Sequence, residues 1–145
     1  MKDRSVSVTV TIQAPAASVW RALVDPKLIK VYMGGAEVVT DWHPGSTIFW
    51  QGYWQGKPYR DQGQIIDFAQ ARRLKYTHYS PATGLPDVTE NYHILTYSLF
   101  ERGSSTDLVL LNENITTEAE QTHLEWSWKV MLEEIKRLVE QGSQV

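Results

Sequence analysis

Residues 117–141 read TEAEQTHLEWSWKVMLEEIKRLVEQ, and this stretch decides the fold. Apolar residues recur at Leu124, Trp128, Met131, Leu132, Ile135, Leu138 and Val139. Glu125, Lys129, Glu133, Glu134, Lys136, Arg137 and Glu140 fill the positions between them, which is the pattern of one amphipathic helix. Thr117-x-x-Glu120 is a capping box, and Glu118 and Glu120 lie where the helix dipole favours anions. Lys136, Arg137 and then Gly142 mark the end. Such a helix is about 36 Å long at roughly 1.5 Å per residue. One long helix with a single apolar face needs a sheet to lie against, and nearly all the chain before it reads as strand.

At the start, Val6, Val8, Val10 and Ile12 alternate with Ser5, Ser7, Thr9 and Thr11, the period of a half-buried strand. Ala14-Pro15 ends it, and Pro15 opens a short helix carrying Val19, Trp20, Leu23 and Val24 on one face. Asp25-Pro26 starts a second short helix through Leu28, Ile29 and Tyr32, with Asp25 as its N-cap, and Gly34-Gly35 breaks it. Strands are then expected over 36–41, 46–53, 59–68, 73–79, 91–101 and 106–115. They are joined by turn clusters such as His43-Pro44-Gly45, Gln55-Gly56-Lys57-Pro58 and Arg102-Gly103-Ser104-Ser105. With no helix between these strands, a parallel doubly wound sheet is excluded and the sheet must be antiparallel and curved. The one long connector, residues 80–90, carries two prolines and a glycine and is expected at a rim of the sheet.

The 145 residues bound the chain to one domain, 1–145, long enough to bury about two thirds of its surface. A net charge of −3 without any basic block gives no reason to expect nucleic acid or an anionic membrane. The polar opening Met1-Lys2-Asp3-Arg4 argues against a secretory signal, and no apolar run reaches the roughly 20 residues of a membrane span. A cytoplasmic protein is expected, monomeric or homodimeric. The absence of cysteine removes thiolate chemistry, and the histidines form no metal-ligand spacing, so neither a metal nor another cofactor is expected. Six Trp and seven Tyr suit either core filling or the wall of a ligand cavity.

The run from Ile12 to Pro26, IQAPAASVWRALVDP, resembles the opening signature of the START-like SRPBCC superfamily. Gly52-Tyr53-Trp54-Gln55-Gly56-Lys57-Pro58-Tyr59, Gly63-Gln64-Ile65, Arg73-Leu74-Lys75-Tyr76, Glu90-Asn91-Tyr92-His93 and Trp128 resemble its bacterial branch named after the activator of heat-shock-protein 90 ATPase. The resemblance implies an α+β helix-grip fold. In it a curved antiparallel sheet of six or seven strands wraps around the C-terminal helix, two short helices follow strand one, and a cavity lies between helix and sheet. The chain lacks the glycine-rich loop of plant pathogenesis-related relatives, so their ligands are not expected. The extra N-terminal domain with which a eukaryotic co-chaperone of this name grips its ATPase partner is likewise not expected here, nor is that activity.

Strand parity sets His78 on the face of Leu74 and Tyr76, and His93 on the face of Leu95, Tyr97 and Leu99. Each imidazole is either a hydrogen-bonded wall residue or a group that orients a ligand or moves a proton. Trp126 and Trp128 are about 200° apart around the helix, so Trp128 is assigned to the core or cavity and Trp126 to the flank. The expected cavity lining is Trp50, Tyr76, His78, His93, Leu95, Tyr97, Leu110, Trp128 and Met131, with Asp87 and Glu90 at the rim. The function that follows is binding of a small apolar or aromatic molecule beneath the helix. A cofactor-free cyclase or lyase, implied by cyclase and dehydratase relatives, is the alternative. A stress-related, co-chaperone-like module for a protein partner is the third, and it should expose an apolar patch beside the long helix.

Overall fold

The computed structural model describes residues 3–142. Met1 and Lys2 of the polar opening, and the last three residues of the expected domain, lie outside them. The chain runs β1 (Arg4–Ile12), α1 (Ala16–Val24), α2 (Pro26–Tyr32), β2 (Glu37–Val39), β3 (Thr47–Trp54), β4 (Lys57–Ala69), β5 (Arg73–His78), β6 (His93–Arg102), β7 (Ser105–Ile115) and α3 (Glu118–Gly142). The strands form one seven-stranded sheet of order β1-β7-β6-β5-β4-β3-β2, antiparallel throughout.

The expected elements are present, with differences at their ends, and β4 takes in Lys57 and Pro58 of the expected turn cluster. β2 covers Glu37–Val39 rather than residues 36–41. Thr89–Asn91 forms a tight 3-10 turn, so β6 begins at His93. Gly142 lies inside α3 rather than ending it. Asp25 caps α2 by accepting the Lys27 N–H at 3.0 Å. At the β3–β4 hairpin Gln55 and Gly56 both take positive φ, 51° and 79°, which matches the twist of the paired strands.

The edge strand β1 fixes the long helix. Gln121 Nε2 donates to Ser5 O at 2.8 Å, Lys136 Nζ donates to Thr11 O at 2.7 Å, and the Gln13 N–H donates to Glu140 Oε2 at 2.8 Å. From Gln121 to Lys136 the helix advances about 22 Å, and from Ser5 to Thr11 the strand advances about 20 Å, so helix and strand run side by side in step. The Gln13 amide first, then Lys136, hold the Glu140 carboxyl below its usual range. These contacts occupy backbone groups of β1 and blunt a sheet edge open to other chains.

Only the second half of α3 is buried, through Met131, Leu132, Ile135 and Val139. These pack with Val19, Trp20 and Leu23 of α1 and with Val8, Val10, Leu108 and Leu110 of the sheet in one apolar cluster. The first half of the helix stands away from the concave face. Its N-terminus is closed by the Thr117 hydroxyl, which accepts the Glu120 N–H at 3.1 Å, while the Glu120 carboxylate accepts the Thr116 N–H at 3.4 Å. The reciprocal arm of the capping box thus reaches one residue further back than expected. Because this end of α3 has so little packing, Thr117→Ala is expected to lower stability by about 1 kcal/mol, read as a reduced urea midpoint. A loss below about 0.3 kcal/mol would mean that the cap is idle.

Candidate functional site

Where the sheet curves away from the first half of α3, a cavity of about 760 Å³ opens. The sheet supplies Trp50 from β3, Tyr59 and Asp61 from β4, Tyr76 and His78 from β5, and His93 and Leu95 from β6. Leu124, Ser127, Trp128 and Met131 face them from α3. Val31 from α2, with Trp126 and Val130 from α3, edges the opening, and all three are exposed apolar side chains. Ser80, Thr83 and Asn91 border it from the 80–92 connector.

Seven of the nine expected lining residues therefore share this cavity: Trp50, Tyr76, His78, His93, Leu95, Trp128 and Met131. Leu110 does not reach it. It is fully buried in the cluster beneath the covered half of α3, because β7 lies next to β1 under the helix. Tyr97 sits one layer deeper than expected and borders a separate void of about 10 Å³. The two rim carboxylates are also elsewhere. Asp87 and Glu90 border a depression on the opposite face of the sheet, alongside Phe49, Gln62 and Ile94. Asp87 is drawn there by the Tyr92 hydroxyl at 2.6 Å and Gln62 Nε2 at 2.8 Å, and Asn114 Nδ2 donates to Glu90 O and Tyr92 O at 2.9 and 2.8 Å. The connector is thus tied down over the convex side.

Polar groups within the apolar wall come in pairs. His78 Nε2 lies 2.9 Å from Asp61 Oδ2, and the edge of its ring meets the Trp50 ring at 5.0 Å. His93 Nε2 lies 3.1 Å from Glu120 Oε1, which joins the start of β6 to the start of α3 at the cavity's end. The Tyr76 and Tyr97 hydroxyls are 3.0 Å apart. Burial pushes both phenols up, Tyr76 well above its usual value and Tyr97 to about 12, so both keep their protons near neutrality. Trp128 Nε1 donates to Asn112 Oδ1 at 2.9 Å, which satisfies a fully buried amide oxygen and turns the indole toward the sheet. Trp126, 64% exposed, stands at the flank.

The histidines are visible in the sequence, where Asp61 reads as a solvated strand carboxylate and Glu120 as the acid of the capping box, neither of them as the partner of a histidine. Asp61 is seventeen residues from His78 and Glu120 twenty-seven from His93. Only the register of β4 on β5, and the side-by-side run of α3 and β1, brings each pair together. Among the described residues no group of three or more His, Cys, Asp or Glu is placed to hold a metal, and no helix is long and apolar enough to cross a membrane.

Comparison with known proteins adds a family and a fold. The sequence profile described as activator of Hsp90 ATPase homolog 1-like protein matches residues 13–140. The chain is 42% identical to ChR145 from Cytophaga hutchinsonii, over 100% of both chains and with a TM-score of 0.87. Two more distant structures share the fold. MLL2253 from Mesorhizobium loti is 18% identical over 95% of this chain and 98% of that one, at a TM-score of 0.79. CalU16 from Micromonospora echinospora is 23% identical over 94% and 74%, at 0.72. No curated protein sequence matches the chain.

Proposed function

We propose, from the premise that this chain belongs to the activator of Hsp90 ATPase homolog 1-like family, that it binds a small, largely apolar molecule between α3 and the concave face of the sheet. The observation that carries this is the 760 Å³ space itself, which falls in the roughly 300–1,000 Å³ range of small-molecule sites. Its wall is mostly apolar and aromatic, from Trp50, Tyr76, Leu95, Leu124, Trp128 and Met131, so an apolar ligand gains by leaving water. His78 and His93 are each held by a carboxylate, so an apolar ligand does not strip these imidazoles of partners.

Because Trp50 and Trp128 line the space, a bound ring should quench tryptophan emission. Titration with a panel of flavonoids, fatty acids and sterols is expected to give saturable quenching with at least one aromatic member. Unchanged emission across the panel would contradict the proposal and move a protein partner, docking on Val31, Trp126 and Val130, to first place.

One second function has a specific observation behind it. With its Nε2 held by Asp61, His78 is oriented as a proton-transfer group in the cavity wall, as a cofactor-free cyclase or lyase would need. Turnover of a bound compound that disappears in His78→Gln while binding persists would establish it.

A further inference from the structure

The Tyr76 and Tyr97 hydroxyls are 3.0 Å apart, and each phenol carries one proton. Two protons and one mutual hydrogen bond leave one proton over. Among the described residues neither hydroxyl has a second partner. What each phenol faces decides where that proton goes. Tyr97 is 2% exposed and borders the void of about 10 Å³, walled mostly by apolar side chains such as Leu23, Ile29, Ile48 and Leu74. Tyr32 borders the same void and donates to Ala22 O at 2.8 Å, but among the described residues its oxygen accepts no hydrogen bond from Tyr97. A proton turned that way meets hydrocarbon, which a buried donor avoids at some cost. Tyr76 borders the large cavity as well. If Tyr97 donates to Tyr76, the spare proton belongs to Tyr76 and faces the cavity, and the accepted hydrogen bond polarises that O–H further.

We propose that Tyr76, positioned by Tyr97, is the specificity-determining donor of this cavity, and that the ligand is an apolar molecule bearing a carbonyl oxygen set against its hydroxyl. This rests on the cavity being a binding site. A carbonyl fits better than an alcohol because it brings lone pairs and no proton. The Tyr76 oxygen already accepts from Tyr97, so a ligand hydroxyl there would need a further acceptor for its own proton.

The test uses two rigid tricyclic probes of nearly one shape, fluorenone with a carbonyl and fluorene without, measured by equilibrium dialysis against the full chain and its Tyr76→Phe and Tyr97→Phe variants. The quantity read is the ratio of the fluorene to the fluorenone dissociation constant, which cancels general packing effects. In Tyr76→Phe this ratio is expected to fall about tenfold from wild type, the worth of one buried hydrogen bond. In Tyr97→Phe it should fall by less than about threefold, because the Tyr76 donor remains. A ratio unchanged within about twofold in Tyr76→Phe, with both probes still bound, overturns this proposal alone. A larger fall in Tyr97→Phe than in Tyr76→Phe overturns it too, by assigning the donor to the deeper hydroxyl. Failure of both probes to bind wild type overturns it together with the binding function on which it rests.

Discussion

Gly63→Ala is expected to unfold the domain or bring it close to unfolding, at a cost of about 4 kcal/mol or more. The obstacle is space rather than backbone dihedral. A Cβ on Gly63 would lie 1.7 Å from Thr77 O and 2.6 Å from Thr77 C, and those are backbone atoms of the neighbouring strand. They cannot swing aside as a side chain would. β4 and β5 would have to part where Gln62 pairs with Tyr79 and Ile65 with Tyr76. The same parting would draw His78 from Asp61, so any folded remnant should also lose that contact. Gly52→Ala is the control, because there the three atoms nearest the new Cβ all belong to the Tyr59 side chain, at 3.2 to 3.4 Å, and that side chain can move. Its cost should stay below about 1 kcal/mol. Urea melts of the pair measure the contrast, and a Gly63→Ala protein within about 1 kcal/mol of wild type would contradict the close strand approach.

Trp128→Ala is the second large effect, expected at about 3 kcal/mol. Part of it is the loss of a half-buried ring packed against the core beside Leu124, and part is the amide oxygen of Asn112 left without the indole N–H. Trp126→Ala, two residues away but exposed, should change stability by less than about 0.5 kcal/mol. Equal losses would mean that the helix is rotated from the phase described.

That phase was legible in the sequence because a helix repeats its apolar face every three to four residues, and α3 does so without interruption. β1 was legible for the matching reason, a clean alternation of Val6, Val8, Val10 and Ile12 with Ser and Thr. Alternation also told which face Leu110 takes, but not that β7 lies under the filled half of the helix, where no space is left. Distances across the sheet were the harder part. Asp61 meets His78 only through strand register, and a carboxylate among aromatics reads as a solvated strand residue until that register is known. The placement of Asp87 and Glu90 depended on Asn114, whose φ of 67° and side-chain donors to Glu90 O and Tyr92 O tie the connector to the convex side. Nothing in the spacing of residues 80–90 announces a tether that lies on β7.

Where the ligand sits is the central question, and nuclear Overhauser contacts between the methyl-labelled protein and the tightest-binding compound of the panel answer it most directly. Contacts from the compound to the methyl groups of Leu95, Leu124 and Met131 are predicted, since these face one another across the cavity. Contacts only to exposed surface groups such as Val39, or no contacts at all at saturating compound, would contradict binding beneath the helix.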